Sequence, residues 1–194
     1  VLFEPAFAFE GLLVRIDIFV KNGSLIELIE VKAKAYDSES PSFFGTRTPI
    51  KSDILPYIED IAFQKHVVSS VFPGANIKAF FMMPDKATWA KTDGLNQCFQ
   101  ISDINGQKTV KTTENTARQV EANSSLLKKI PVDEYIDIAM ANPLSYPGSK
   151  LGSEDYLPKR SAIWAAAYNE DIKVETSLHK GCKNCEFRAQ NDEP

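Results

Sequence analysis

The sequence predicts a mixed α/β domain in which helices flank a mixed β-sheet. Its first part contains three apolar segments of strand length, at residues 2–9, 11–20 and 25–34. A segment with helical spacing of apolar residues follows at 53–72, and a further apolar strand follows at 77–83. Consecutive strands followed by a helix and another strand are typical of a sheet with helices packed on it.

The composition is that of an ordinary globular domain. The chain has 194 residues, of which 43% are hydrophobic and 25% charged, so we expect one main domain over 1–178 and a cysteine-containing tail over 179–194. The net charge of -4 argues against a protein that coats nucleic acid through bulk positive charge. The chain begins without Met, so we expect a fragment of a longer polypeptide with further domains.

Neither a membrane span nor a signal peptide is predicted. No apolar run approaches the roughly 18 to 20 residues that a membrane helix needs, and the start lacks a basic region followed by an apolar core. The odd number of cysteines, three, does not indicate a disulfide framework. We therefore expect a cytoplasmic protein with reduced thiols.

The first half of the chain carries clear boundary signals. Asn22-Gly23 between two apolar runs predicts a β-hairpin. Residues 37–51 are rich in Ser, Pro and Thr and predict a loop. The helix at 53–72 has Ser52 or Asp53 as its cap and Pro56 in its first turn.

The second half is less regular. Strands are predicted at 98–104 and 109–112, around Asn105-Gly106. Helices are predicted at 116–129 and 161–170, and a loop over 142–160.

Two carboxylates and a lysine are expected to converge on the first hairpin. Because side chains alternate along a strand, the even positions of 11–20 form an apolar core face, and Asp17 lies on the other face. On the next strand Glu30 and Lys32 share a face. If the turn is centred between Asn22 and Gly23, Asp17 lies opposite Leu28 and diagonal to Glu30, within reach of one ion. A slip of one residue would separate the two acids.

This grouping suits phosphodiester hydrolysis. Carboxylate oxygens are preferred ligands of Mg²⁺ and Mn²⁺. Such an ion lowers the pKa of a water molecule, and a neighbouring lysine can stabilise the charge that develops on phosphate.

The same residues resemble a known family. The segment 11–17, which ends in Asp17, and the following Glu30-Val31-Lys32 resemble the Asp and Glu-x-Lys motifs of PD-(D/E)XK nucleases, in their RecB-like branch. The resemblance implies a restriction-endonuclease-like core that acts on DNA, with RNA left open as a substrate. It also implies metal ligation by Asp17, Glu30 and the carbonyl of Val31, with Lys32 catalytic.

Gln64 falls on the apolar stripe of the helix predicted at 53–72. A buried amide needs partners. RecB-like nucleases carry a Gln on the helix after Glu-x-Lys, often with a Tyr four residues later, and this resemblance implies a catalytic role for Gln64. Here Val68 replaces that Tyr. The alternative is a Gln that bonds to backbone at the helix edge.

Cys182 and Cys185 have the spacing of zinc or iron-sulfur ligands, but one such pair supplies only half of a tetrahedral site. Several RecB-like families hold a [4Fe-4S] cluster with one cysteine before the core and three after it. The resemblance therefore implies such a cluster in a longer protein. Cys98 is expected to be a small buried side chain, and His179 an ordinary residue of the tail.

Other charged residues have weaker support. Glu10 precedes the second strand and either approaches the metal or lies in a solvated turn. His66 is expected at the surface, about 200° around the helix from Gln64. The basic residues near the site are candidates for phosphate contacts: Arg47, Lys51 and Lys65.

Three functions remain open from the sequence. The first is a Mg²⁺- or Mn²⁺-dependent nuclease. The second is a catalytically inactive PD-(D/E)XK domain that binds nucleic acid or protein within a larger assembly. The third is a C-terminal zinc or iron-sulfur module beside an unrelated sheet domain.

Overall fold

The structure is a computed structural model that describes residues 1–141 and 156–171. It is a mixed α/β fold with a mixed sheet flanked by helices, which confirms the predicted fold class at that level. The strands are β1 (Leu2–Phe3), β2 (Ala6–Phe9), β3 (Leu12–Arg15), β4 (Ile18–Asn22), β5 (Leu25–Val31), β6 (Asn76–Pro84), β7 (Phe99–Ile104), β8 (Gln107–Thr112) and β9 (Leu127–Pro131). The helices are α1 (Leu55–Val71), α2 (Thr116–Ala122), α3 (Asp133–Ala141) and α4 (Tyr156–Asn169), with 3₁₀ turns at Leu95–Cys98 and Ser124–Leu126.

The main sheet has five strands in the order β1-β4-β5-β6-β9. Its central pair, β5 and β6, is parallel, and the other pairs are antiparallel. Parallel neighbours need a crossover connection, which the segment containing α1 provides. Two small antiparallel sheets, β2-β3 and β7-β8, accompany the main sheet.

Helix α1 connects two apolar clusters. Its residues Ile58 and Ile61 belong to the first cluster, and Val67 and Val68 belong to the second. The first cluster also contains Phe43, Ile50, Ile54, Ala62, Ala79, Phe81, Met83, Ile130, Val132, Ile136 and Ala139. The second also contains Val14, Ile16, Phe19, Ile26, Leu28 and Ile77.

The predicted caps of α1 are wrong. The helix begins at Leu55 after Ile54, and Ile54 makes no side-chain cap bond. A tight turn, in which the amides of Ile54 and Leu55 donate to the carbonyl of Lys51, leads into the helix. Asp53 instead pairs with Lys34, while the first-turn proline is present as predicted.

The strand predicted over 11–20 is interrupted. β3 pairs with β2, whereas β4 pairs with β1 and β5, so the chain passes from one sheet to another at Ile16 and Asp17. The strand predicted over 2–9 is likewise divided, because β1 pairs with β4 and β2 pairs with β3, in different sheets. The buried side chains change here from even to odd positions. Ile16 is fully buried on the β3 side of the break, and Phe19 is buried on the β4 side. The predicted even-numbered core face is therefore right up to Ile16 and wrong beyond it.

The hairpin register is shifted by two residues from the predicted one. Leu28 pairs with Phe19 rather than with Asp17, and Asn22 pairs with Leu25 across a Gly23-Ser24 turn. Gly23 has a φ of +59°, which glycine adopts readily. Because side chains alternate with a period of two, a shift of two residues leaves every side chain on its predicted face. The residues of β5 that were predicted to share a face therefore still do so.

The second half departs most from prediction. The hairpin around Asn105-Gly106 is present as β7 and β8. The helix predicted at 116–129 ends at Ala122. Ser124–Leu126 form a 3₁₀ turn, and residues 127–129 belong to β9, because the free edge of β6 offers them backbone partners. Helix α3 was not predicted, and α4 begins inside the predicted loop 142–160, of which residues 142–155 lie outside the described ranges.

None of the helices within the described ranges has both the length and the apolar character that crossing a bilayer requires.

Candidate functional site

A buried carboxylate at the end of β5 forms the centre of the candidate site. Glu30 is only 7% exposed and faces α1. Its Oε1 accepts a hydrogen bond from Lys32 Nζ at 2.7 Å, and its Oε2 accepts one from Gln64 Nε2 at 2.9 Å. The structure therefore brings together Glu30, Lys32 and Gln64, three of the residues that the sequence selects.

Asp17 lies in the break between β3 and β4 and is partly buried. Its Oδ2 accepts a hydrogen bond from the Val31 amide at 2.7 Å. Extending the β4-β5 register by one position from the pair Ile18 and Ile29 would set Asp17 beside Glu30. The Asp17 carboxylate thus accepts the amide hydrogen bond from β5 that a backbone carbonyl would accept in a regular strand pair.

Asp60 is a member of this cluster that the sequence analysis missed. Its Oδ2 lies 3.2 Å from Lys32 Nζ, and its Oδ1 lies 3.5 Å from Gln64 Nε2. Asp60 precedes Gln64 by four residues, which places both on one face of α1. That spacing is the signal by which Asp60 could have been found.

Lys32 is enclosed by acids and by an aromatic ring. Its Nζ lies 5.0 Å from the centre of the Tyr57 ring, within the range of a cation-π contact. Burial lowers the pKa of Lys32, but hydrogen bonds and charge from Glu30, and then from Asp60, outweigh it and raise the pKa above its ordinary value. Lys32 therefore carries its positive charge at neutral pH.

The amide of Gln64 is oriented by its neighbours. Its nitrogen faces Glu30 because a carboxylate can only accept. Its oxygen, Oε1, is then buried without a hydrogen-bond partner among the described residues. A buried acceptor without a partner is expected to bond to a ligand or to a water molecule.

Comparisons of the chain with protein-family models, curated proteins and solved structures found no match.

The donor set of the cluster is chemically suited to a hard divalent cation. Asp17, Glu30 and the Val31 carbonyl are all oxygen donors, which Mg²⁺ and Mn²⁺ prefer. Within residues 1–141 and 156–171, no group of three or more His, Cys, Asp or Glu side chains is arranged to hold a metal ion. A cation here would therefore depend on two carboxylates together with carbonyl, amide or water oxygens.

Glu10 and His66 belong to a different feature. Both line a cleft of about 270 Å³ between the β2-β3 turn, α1 and α4. Glu10 is exposed in that turn, with a φ of +46°. His66 was expected at the surface but is partly buried, because α4 and the β2-β3 hairpin flank this side of α1, and its burial lowers the pKa of the imidazole.

Two of the predicted phosphate-binding residues already have protein partners. Lys65 Nζ pairs with Asp133 Oδ1 at 2.5 Å, and Lys51 Nζ donates to the Ser42 carbonyl at 2.6 Å. Arg47 is exposed in the loop before α1.

The cysteines divide between the two parts of the chain. Cys98 is partly exposed at the end of a 3₁₀ turn, so its predicted burial is wrong, because the β7-β8 hairpin that follows covers it only in part. Cys182, Cys185 and His179 lie outside the described residues. The iron-sulfur or zinc site stays a prediction.

Proposed function

We propose that this chain is a Mg²⁺- or Mn²⁺-dependent nuclease that hydrolyses phosphodiester bonds of DNA on a restriction-endonuclease-like core. The observation that carries the proposal is the meeting of Glu30, Lys32 and Gln64 at the end of β5, with Asp17 bonded to the same strand. Buried charges are rare unless they are paired, and perturbed ionisable groups concentrate at functional sites. An oxygen-rich cluster with one fixed positive charge has the chemistry that phosphodiester hydrolysis needs.

The carboxylates would hold the cation. Asp17 and Glu30, with the carbonyl of Val31, are the residues proposed as ligands. Val31 fixes Asp17 through its amide, and Gln64 fixes Glu30 through its Nε2. When bound, the cation lowers the pKa of a water molecule and offsets the charge of the phosphate.

Lys32 and Gln64 would act directly on the reacting groups. Lys32, which pairs with Glu30 and Asp60, would serve as a positive charge that stabilises the developing phosphate charge. The free Oε1 of Gln64 can accept a hydrogen bond from a water molecule and orient it. Gln64 lies on α1, and Lys32 directly follows β5 with its amide bonded to the Met82 carbonyl of β6, which favours fixed geometry.

A cleavage assay tests the proposal. The purified chain is incubated with Mn²⁺ and with linear, circular or single-stranded DNA, or with RNA. We expect EDTA-sensitive cleavage of DNA. Asp17→Asn, Glu30→Gln and Lys32→Met should each lower the rate by about 100-fold or more, as the loss of a charge-stabilising group does in other enzymes.

Glu27→Gln is the matched control for this assay. Glu27 lies on the same strand as Glu30 but on its opposite face, and it pairs with Lys129 at 2.6 Å. The control removes the same charge and the same kind of ion pair, and it should leave the rate unchanged. Cleavage that survives both Glu30→Gln and Lys32→Met would contradict the proposal. DNA binding without cleavage by the unaltered protein would favour the inactive binding module.

A further inference from the structure

The ammonium group of Lys32 is shared between two carboxylates of unequal exposure. Glu30 Oε1 lies 2.7 Å from Nζ and Asp60 Oδ2 lies 3.2 Å from it. The side chain of Glu30 is 9% exposed, whereas that of Asp60 is 46% exposed. Glu30 is therefore the inner partner of Lys32, and Asp60 is the outer one.

This sharing has a consequence if Glu30 is a cation ligand. A divalent cation and an ammonium group held by the same carboxylate repel each other. If a cation bound to Glu30, this repulsion would favour a Lys32 that exchanges Glu30 for another partner. Asp60 already stands within hydrogen-bond distance of Nζ, so the exchange needs no large movement.

The helix keeps Asp60 in place for this exchange. Tyr57, Asp60 and Gln64 follow one face of α1 at spacings of three and four residues, over roughly 10 Å of helix length. The neighbouring residues Ile58 and Ile61 are fully buried, which anchors that part of the helix. The ring of Tyr57 adds a second attraction for the ammonium group.

We propose that Asp60 is a positioning residue that holds the Lys32 ammonium group at the site while Glu30 coordinates the divalent cation. The inference rests on the proposed nuclease function. Asp60 acts through Lys32 and needs no contact with the nucleic acid.

Binding of Mn²⁺, followed by electron paramagnetic resonance of the free ion, tests the inference without any cleavage. Four proteins are compared: unaltered, Asp60→Asn, Lys32→Met and the double variant. Asp60→Asn should weaken Mn²⁺ binding about three- to tenfold, because the ammonium group then stays on Glu30. In the Lys32→Met background the same change should cost a clearly smaller factor, since only the distant charge of Asp60 is lost.

Kinetics give the second readout. At saturating Mn²⁺, Asp60→Asn should lower kcat about tenfold and change the KM for DNA less than about twofold, because Lys32 is misplaced for the reaction and not for DNA binding. Asp60→Glu, which keeps the charge, should restore most of the rate. Glu27→Gln again controls for the loss of one carboxylate.

The outcomes separate this inference from the proposed function. An equal loss of Mn²⁺ affinity in both backgrounds, or Asp60→Asn kinetics like those of Glu27→Gln, would overturn the positioning role. A protein that binds Mn²⁺ but cleaves no nucleic acid would contradict the proposed nuclease function. The Mn²⁺-binding comparison would then still test whether Asp60 positions Lys32. A protein that binds no Mn²⁺ would overturn both.

Discussion

At the scale of single residues, the polar pair of Glu30 and Gln64 lies among the apolar residues that pack against α1. On α1, Gln64 lies between Ile61 of the first apolar cluster and Val68 of the second. Both members of the pair are less than a tenth exposed. Burying such groups destabilises a fold unless each finds a partner, and here each is the partner of the other.

Gln64→Met tests how strongly this pair depends on its hydrogen bond. The change removes the donor to Glu30 Oε2 and leaves a buried carboxylate oxygen without it, so the free energy of unfolding should fall by about 1–3 kcal/mol. Urea denaturation measures the change. Gln107→Met, at an exposed position at the start of β8, should stay within about 0.5 kcal/mol of the unaltered protein. Equal effects of the two substitutions would show that the bond contributes nothing.

The sequence could predict some of these residues and not others, for physical reasons. Strand alternation predicted a shared face for Glu30 and Lys32, and helical period predicted Gln64 on the buried stripe of its helix, but only the family resemblance linked Gln64 to the other two. The structure brings the three together. Asp60 was missed because an acid beside the apolar stripe of a helix looks like an ordinary solvated residue. The four-residue spacing marks Asp60 as a neighbour of Gln64, but its contact with Lys32 becomes visible only in the structure, where Lys32 reaches across to α1.

At the scale of elements, one buried acid fastens the loop before α1 to the end of β6. The side chain of Asp85 is fully buried and accepts bonds from Ser38 Oγ at 2.6 Å and Thr88 Oγ1 at 2.9 Å. The amides of Ser38 and Ala87 donate to its other oxygen. The Ser38 hydroxyl is the largest of the contributions that hold the pKa of Asp85 well below its usual range.

Asp85→Asn should therefore destabilise the protein in a pH-dependent manner. Because the folded-state pKa of Asp85 is lowered, its stabilisation is fully present above the unfolded pKa of about 3.9 and is lost progressively as pH falls from there through the much lower folded-state pKa. Urea midpoints measured from pH 7 to pH 2.5 should differ most between variant and unaltered protein at neutral pH, and the difference should shrink steadily below about pH 4. Asp93→Asn, at an exposed position, should follow the unaltered protein throughout. A constant gap for Asp85→Asn would contradict the lowered pKa.

Element boundaries failed where tertiary pairing overrode the local pattern. Residues 11–20 alternate well enough to suggest one strand, but the neighbours of β3 and β4 belong to different sheets. Residues 127–129 were predicted as the end of a helix. They form part of a strand instead, because the edge of β6 offers backbone partners: Phe81 pairs with Ile130, and Met82 pairs with Lys129.

At the scale of the whole molecule, the buried apolar residues are concentrated around α1 and the central strands. The helix contributes to both apolar clusters, and β5 and β6 lie beneath it. The β7-β8 hairpin forms a sheet of its own and contributes no residue to either cluster. Its Ile101 is 74% exposed and its Val110 is 59% exposed.

Replacing residues 99–112 by Asn-Gly should consequently leave the main fold intact. The Thr113 amide donates to the Cys98 carbonyl at 3.2 Å, so the two ends already meet and a short turn can join them. We expect the free energy of unfolding to change by less than about 1 kcal/mol, because little apolar area leaves the core. The comparison is Ile130→Ala, in the first cluster, which should cost about 2–5 kcal/mol. Hydrogen exchange on the unaltered protein should likewise show β7 and β8 amides exchanging faster than those of β5 and β6. A replacement as costly as Ile130→Ala would mean that the hairpin supports the main sheet after all.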